Sequence, residues 1–316
     1  MRRLFVPAIA LLNRLGYTTK FAIMGVLALL AISVLAVNLY QSLSRVIYRS
    51  QQELVGIEAI KPIAGLIHEL QVHRGLSSGV LNGDQRMEYR RAAREKRVTV
   101  AFAAVVATLP PPLAASESWP KIVERWAAIA KDGLALVVSE NFASHTLLIG
   151  ALQNLQETIA DQYALTNDPD IDSTYLIATL VAELPSALDS MGQLRALGTG
   201  ALSRKAALTL PQQVELTALL ARLNVAVASL RRSLEKTSRY TPDLQAALAA
   251  AATDMGAAAE KFTTLVSEDI VSGRYDTLPA VYFAMTTATI EKGYKEMFES
   301  LFPALEGLLQ RRLEPA

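Results

Sequence analysis

The chain has 316 residues, is 51% hydrophobic and carries a formal net charge of +1, so it contains enough apolar residues to bury a core. The near-neutral charge gives no basis for nucleic-acid binding, and the absence of cysteine excludes disulfides, thiolate metal sites and cysteine nucleophiles. Glycine and proline are sparse between long stretches rich in leucine and alanine, which favours an all-α fold.

The first predicted element is an N-terminal transmembrane helix over residues 21–40, an apolar run without a charge. A helix of this length spans about 30 Å, the thickness of the hydrocarbon core of a bilayer. Residues 1–20 form a basic leader, and the positive-inside rule therefore places this end in the cytoplasm. We expect an uncleaved anchor rather than a signal peptide, because the apolar run and the leader are both long for a signal peptide.

Residues 41–316 are predicted to form an extracytoplasmic helical sensor domain. Turn signals divide this region into about eight long helices, which we expect to form two four-helix bundles. The predicted boundaries include a break at residues 139–141 between the third and fourth helices, a junction at 167–170 and a fifth helix over 171–202. Together these elements predict an all-α protein with one N-terminal transmembrane helix.

No second uncharged apolar run follows the first, and the segment from Pro303 to Ala316 is amphipathic. The chain is therefore expected to be either a single-pass protein or a receptor that ends before a second transmembrane helix.

Two segments share the pattern Arg-x-Leu-x-x-Gly-x-Leu, beginning at Arg74 and at Arg195. Each arginine continues an apolar stripe with helical spacing, so both side chains are predicted to point into the interior of a bundle. The positions around them are small, which we interpret as room for a bound group. These small positions are Gly75, Ser77, Ser78 and Gly79 in the first segment and Ala196, Gly198, Thr199 and Gly200 in the second.

A buried guanidinium needs a partner, because an uncompensated buried charge costs several kcal/mol. Two interpretations remain open at this point. A carboxylate on a neighbouring helix is the commoner partner in proteins. A small planar oxyanion is the alternative, since the guanidinium fork offers it two parallel hydrogen bonds.

The segment 70–78, which reads Leu-Gln-Val-His-Arg-Gly-Leu-Ser-Ser, resembles the Arg-Gly-Leu-Ser helix of the nitrate- and nitrite-sensing domain family. Residues 167–176 resemble a helix junction of its receptor-borne members, and the likeness covers the chain from about Gln52 to Gln310. The resemblance implies a periplasmic sensor of two helical bundles, with a small anion held near arginines from the first helix and a later long helix.

From the residues and this resemblance, we predict a small-anion site for nitrate or nitrite. Its predicted ligand-binding residues are Arg74, Arg195, His73, Ser77, Ser78 and Thr199. His73 stands where a nitrate binder of this family can carry a further arginine, so the identity of the anion stays open.

No cofactor, metal site or catalytic activity is predicted. The spacing of His68 and His73 turns them to different sides of a helix, so they cannot share a metal. The alternating Asp168, Asp170 and Asp172 lack the glycine and the closing glutamate of a calcium loop, and we interpret them as helix caps. No nucleophile and base stand at a useful spacing, so we expect a protein that is not an enzyme.

The sequence thus predicts the ligand-sensing region of a bacterial transmembrane signalling receptor of the chemoreceptor or sensor-kinase type. We expect it in the inner membrane as a homodimer, with its main domain periplasmic and a helix shift carrying the signal across the membrane. The alternative is a membrane-anchored helical scaffold that binds a protein partner and no small molecule. In that case carboxylates would pair with both arginines, and no space would remain beside Gly79 or Gly200.

Overall fold

The computed structural model describes residues 16–205 and 207–314, and these residues form helices, turns and short loops without a β-strand. The predicted all-α fold is confirmed. Most of the predicted basic leader, residues 1–15, lies outside the described residues.

The helices follow one another with short connections, in the order expected from the turn signals. They are α1 (Tyr17–Leu81), α2 (Glu88–Thr108), α3 (Pro111–Ala114), α4 (Ser118–Asp132), α5 (Val138–Gln162), α6 (Ile171–Ala178), α7 (Leu184–Arg204), α8 (Leu210–Tyr240), α9 (Gln245–Leu265), α10 (Pro279–Glu296) and α11 (Phe302–Arg311).

The chain divides into two units, Met1–Ser50 and Gln51–Ala316. In the first unit the apolar side chains of α1 are exposed, which is the property of a helix that faces lipid. Within the described residues, α1 and α8 are both long and apolar enough to cross a membrane. The sequence predicted a single apolar run, at residues 21–40. Helix α8 was not predicted to span a membrane, because its leucines form one buried face and charged residues occupy its exposed face.

The second unit has one continuous hydrophobic core, to which the C-terminal part of α1 and the helices from α2 to α11 all contribute. The two predicted bundles therefore share this core. Trp119 and Trp126 lie within it, between α2 and α4, where Phe102 stacks on Trp126 at a ring distance of 6.1 Å.

The break between α4 and α5 lies at residues 133–137 and not at 139–141, so this predicted boundary was wrong. A short 3-10 turn covers Gly133–Ala135, Val137 is extended, and α5 begins at the next residue. The buried amide of Asn141 donates to the carbonyl oxygen of Gly133 at 2.8 Å. The polar residues at this point thus belong to the first turn of a helix, where unpaired backbone N–H groups favour them.

The predicted fifth helix is interrupted by one π-helical segment, Thr179–Glu183, which joins α6 to α7. The carboxylate of Glu183 accepts hydrogen bonds from Ser229 at 2.7 Å and Ser233 at 2.9 Å, both on α8. Two further π-helical segments are Val266–Val271, which follows α9, and Met297–Leu301, which joins α10 to α11. Such segments often occur at functional positions in helices, because they change the register of the residues that follow.

The three aspartates of the α5–α6 junction surround the guanidinium of Arg312, which follows α11. Nη1 lies 3.2 Å from Asp168, Nη2 lies 3.0 Å from Asp172, and Nε lies 3.0 Å from Asp170. Glu53 on α1 lies 3.4 Å from Nη1. Asp170 is the N-cap residue of α6 by position, but its side chain makes no cap hydrogen bond, and Asp168 accepts from the backbone N–H of Asp170 before the helix begins. The acidic group therefore joins the C-terminal end of α11 to α1 and to the junction.

Candidate functional site

Arg74 on α1 and Arg195 on α7 are both completely buried, as their positions on apolar stripes predicted. Arg74 forms a salt bridge with Asp189 of α7, with 2.9 Å between Nη2 and Oδ1. Its Nη1 donates to the Thr146 hydroxyl at 3.0 Å, and its guanidinium lies 5.3 Å from the centre of the Phe142 ring. For Arg74, the commoner of the two interpretations, a carboxylate partner, is therefore correct.

Arg195 has a different environment. Its Nη1 donates to the Thr287 hydroxyl at 3.0 Å, its Nη2 donates to the backbone carbonyl of Gln71 at 2.9 Å, and its guanidinium lies 5.1 Å from the centre of the Phe283 ring. Among the described residues, no carboxylate forms an ion pair with Arg195. A fully buried cation is thus held only by neutral groups.

Gln71 connects the surroundings of the two arginines. Its side-chain amide donates to Asp189 at 3.3 Å, and its side-chain oxygen accepts from the Tyr294 hydroxyl at 3.0 Å. Asp189 accepts a further hydrogen bond from Gln193 at 2.6 Å. The carboxylate that pairs with Arg74 is therefore fixed from three sides, and the same glutamine that fixes it also accepts a hydrogen bond from Arg195.

Burial disfavours the charged form of the Arg195 guanidinium. Burial, and then the positive charge of Arg74, lower the pKa of Arg195 to about 10, while Glu291 and two tyrosines raise it. The guanidinium nevertheless stays protonated at neutral pH. Asp189 pairs with Arg74, whereas Glu291 acts on Arg195 without forming an ion pair with it, so the charge of Arg195 has no partner in direct contact.

Each arginine also keeps one unused donor. Among the described residues, the buried Nε atoms of Arg74 and Arg195 have no hydrogen-bond partner. Leaving a buried donor unpaired costs about 1–3 kcal/mol. Two such donors, together with a guanidinium that has no carboxylate in direct contact, fit a small oxyanion, whose oxygens accept hydrogen bonds and whose charge compensates that guanidinium.

The glycine near each arginine makes space for the arginine of the other helix. A Cβ atom on Gly192 would lie 2.9 Å from Nη2 of Arg74, and one on Gly75 would lie 3.2 Å from Nη2 of Arg195. The side chain of Met87 fills the space beside Gly79. The small residues therefore allow the arginine of each helix to pack against the backbone of the other helix. Most of the space that the sequence predicted for a bound group is thus occupied by the arginines and by Met87.

His73 lies apart from the two guanidinium groups and pairs with another histidine. Its Nδ1 is 2.8 Å from Nε2 of His145, whose Nδ1 donates to the Asn141 carbonyl at 2.8 Å. Burial, and then the neighbouring charges, lower the pKa of His73 to about 2, and burial lowers that of His145 to about 4. Both rings are therefore neutral at physiological pH, and they offer an anion no charge.

The remaining predicted residues have partners of their own. Ser77 accepts a hydrogen bond from Nε of Arg91 at 3.2 Å, and the Thr199 hydroxyl donates to the Arg195 carbonyl at 2.7 Å. Ser78 lines a surface groove that also includes Gly200. Of the six predicted residues, the structure thus brings Arg74 and Arg195 into one network and places the others around it.

Asp189 and Gln71 were missed by sequence reasoning, although α7 carries a signal for the first. Between Leu184 and Ser203, Asp189 and Arg195 are the only charged residues, and nearly all of this segment is buried. A carboxylate in so apolar a helix requires a cationic partner. Gln71 gave no such signal, because an uncharged amide beside an apolar stripe is common at helix surfaces.

Comparison with known proteins gives a family and a fold for this chain. A family model described as nitrate and nitrite sensing matches residues 65–295, a range that contains both arginines. Among solved structures, the chain is similar to one described as "Structure of the NasR transcription antiterminator", with 16% identity and a TM-score of 0.50. That alignment covers 88% of this chain and 82% of the other, and at such low identity it shows the fold alone. No curated protein sequence matches the chain.

Proposed function

Since this chain belongs to the nitrate and nitrite sensing family, we propose that it binds nitrate or nitrite at Arg74 and Arg195 as the sensing region of a bacterial transmembrane receptor. The observation that carries the proposal is the pair of buried, unpaired Nε donors on these two arginines. Nitrate is planar and accepts hydrogen bonds in its plane, and a guanidinium donates in its own plane.

The anion would also remove an electrostatic cost. Asp189 compensates one of the two buried cations, and the anion would compensate the other. Because the surrounding groups are already fixed by hydrogen bonds, little conformational entropy is lost on binding. A sulfate ion, which is tetrahedral and carries two charges, would match the planar donors of a guanidinium and its single charge less well than nitrate.

We further propose that the anion acts on the contact between α1 and α7. Helix α1 includes both the apolar segment 21–40 and Arg74, so a shift at the site acts on the helix that contains the membrane anchor. Ligand binding would favour one arrangement of the two helices, and the difference in affinity between the arrangements sets the size of the signal. The receptor would be a homodimer of the inner membrane, with its sensing domain periplasmic and without enzymatic activity.

The salt bridge between Arg74 and Asp189 favours a second function, in which the chain is an anchored scaffold for a protein partner. A carboxylate partner in a filled interior is what that function requires of both arginines. Arg195 does not meet this requirement, since its partners are a hydroxyl, a carbonyl and an aromatic ring. The sensor is therefore the better-supported function.

Calorimetric titration of the intact chain in nanodiscs tests the proposal. We expect saturable heat with nitrate or nitrite and none with sulfate, and we expect Arg195→Gln to weaken binding at least tenfold. This loss corresponds to the roughly 1.5–3 kcal/mol of a charge-assisted hydrogen bond. Arg239→Gln, at an exposed arginine, is the matched control and should bind normally. If the folded wild-type chain gives no heat with either anion, the scaffold function replaces the sensor.

A further inference from the structure

A surface groove of about 540 Å³ between α2 and α10 ends at the partners of Arg195. Phe283 and Thr287 line this groove, and they are also the ring that stacks on Arg195 and the hydroxyl that accepts its hydrogen bond. The outer wall includes Arg86 and Arg90, both exposed. Two residues of the groove are thus in direct contact with the buried cation.

Phe283 lies between two guanidinium groups. The centre of its ring is 5.1 Å from the Arg195 guanidinium and 5.9 Å from that of Arg90. The ring is almost completely buried and packs against Met87, Val72 and Leu76 in a small cluster. A rotation of this one side chain would therefore open a path from the exposed Arg90 to the buried Arg195.

A second groove, of about 450 Å³, includes Thr146 and Asp189, two direct partners of Arg74, and it is a competing route. Asp189 lines it and pairs with Arg74, so its carboxylate stands between the solvent and that guanidinium. An anion on this route would have to pass a negative charge. Arg125, Arg222 and Glu157 also line this groove, so its two arginines are balanced by two carboxylates.

A third groove includes Phe142 and Thr146, which contact Arg74, and its Arg204 is balanced by Glu215. The first groove carries two arginines against one aspartate, Asp84, which already pairs with Arg86 at 2.8 Å. Its charge therefore attracts an anion.

We propose that the groove between α2 and α10 is the entry route for the anion, with Arg90 as the capturing cation and Phe283 as the gate. The proposal rests on the proposed function of the buried arginines and concerns how their ligand reaches them. The anion would move from the guanidinium of Arg90 to the guanidinium of Arg195, so a positive charge would lie close to it at each point of the path. Phe283 would set the rates of entry and exit.

The absence of native cysteine allows each groove to be blocked separately. Ala284 is exposed in the first groove and Ala182 is exposed in the second. Single variants Ala284→Cys and Ala182→Cys of the intact chain would be labelled with a bulky maleimide, and nitrate association would be followed by stopped-flow tryptophan fluorescence. We expect the label at position 284 to slow association at least about tenfold, and the label at position 182 to change it less than about twofold.

Phe283→Leu provides a second readout without a label. We expect nitrate association and dissociation both to accelerate by about tenfold, because a gate affects both directions. Slowing by the label at position 182 alone, or unchanged rates in all variants that bind nitrate, would overturn the route. An unlabelled wild-type chain that does not bind nitrate would overturn the proposed function and the route with it.

Discussion

Replacing Asp189 with asparagine is expected to lower the free energy of unfolding by about 3–5 kcal/mol, because Arg74 stays buried while its carboxylate partner loses its charge. Asparagine keeps the size of the side chain, and its one oxygen can still accept from Arg74 and Gln71. Gln193 bonds the other carboxylate oxygen, so its amide has to turn and accept from the new NH2 group. The loss therefore reports the uncompensated charge. Urea unfolding of the intact chain, followed by circular dichroism, measures it.

The stability of the same variant should depend more strongly on the nitrate concentration than the stability of the wild-type chain does. A bound anion stabilises the native state according to its concentration and dissociation constant. Without the carboxylate of Asp189, the anion meets less repulsion and compensates a larger excess charge, so nitrate should raise the unfolding midpoint further in the variant. Asp254→Asn is the control, since its pair with Lys292 is exposed and is expected to contribute less than about 1 kcal/mol. Equal nitrate effects in wild type and Asp189→Asn would show that the anion binds elsewhere.

Replacing Arg312 with alanine is expected to cost about 3–5 kcal/mol, since Asp168, Asp170, Asp172 and Glu53 all lie within ion-pair distance of this one guanidinium. Burial lowers the pKa of Arg312, but the three aspartates more than offset this effect and hold it above its usual value. Without the arginine, the carboxylates would repel one another. Thermal unfolding of the intact chain should show a clear fall in the midpoint.

The neighbouring Arg311→Ala supplies a matched control for Arg312→Ala. Arg311 pairs with Asp243 at 3.3 Å, and both side chains are exposed. Such pairs contribute between about 0 and 1 kcal/mol, so this variant should unfold close to the wild-type midpoint. If the two variants unfold together, the acidic group around Arg312 is not a stabilising contact of the fold.

The sequence predicted the helices well, because proline and polar caps mark helix starts by local chemistry. Thr209 opens α8 through a capping box with Gln212, and Pro211 stands in the first turn of the helix. The break at 139–141 was misplaced because polar residues occur both in loops and in the first turn of helices. The π-helical segment after Ala178 could not be predicted, since it arises from tertiary contacts of Glu183 with α8.

The burial of Arg74 and Arg195 was predictable because both lie on apolar stripes, whereas their partners were not. Asp189 carried a signal, as a lone carboxylate in an apolar helix. Thr287 and Phe283 come from a helix about ninety residues further along the chain, and no spacing rule connects them to Arg195. His73, adjacent to Arg74 in sequence, turns to another side of α1 and meets His145, because neighbouring residues in a helix point about 100° apart.

The two arginines therefore have unequal roles in the proposed site. Arg74 is compensated by Asp189 in the structure, so an anion gains less from its charge than from that of Arg195. Arg195, held by neutral groups, should provide most of the binding energy. Substitution of Arg195 should consequently reduce the affinity more than substitution of Arg74, which also disturbs a salt bridge within the fold.

Binding of the anion at the two arginines is tested by the NMR signals of the arginine Nε–H groups, recorded on the intact chain with ¹⁵N-labelled arginine. We predict that the signals of Arg74 and Arg195, identified by loss in the Arg→Lys variants, shift with nitrate until saturation and do not shift with sulfate. The signal of the exposed Arg239 should stay in place. Nitrate binding detected by calorimetry without any change in the Arg74 and Arg195 signals would show that the anion does not bind at these two arginines.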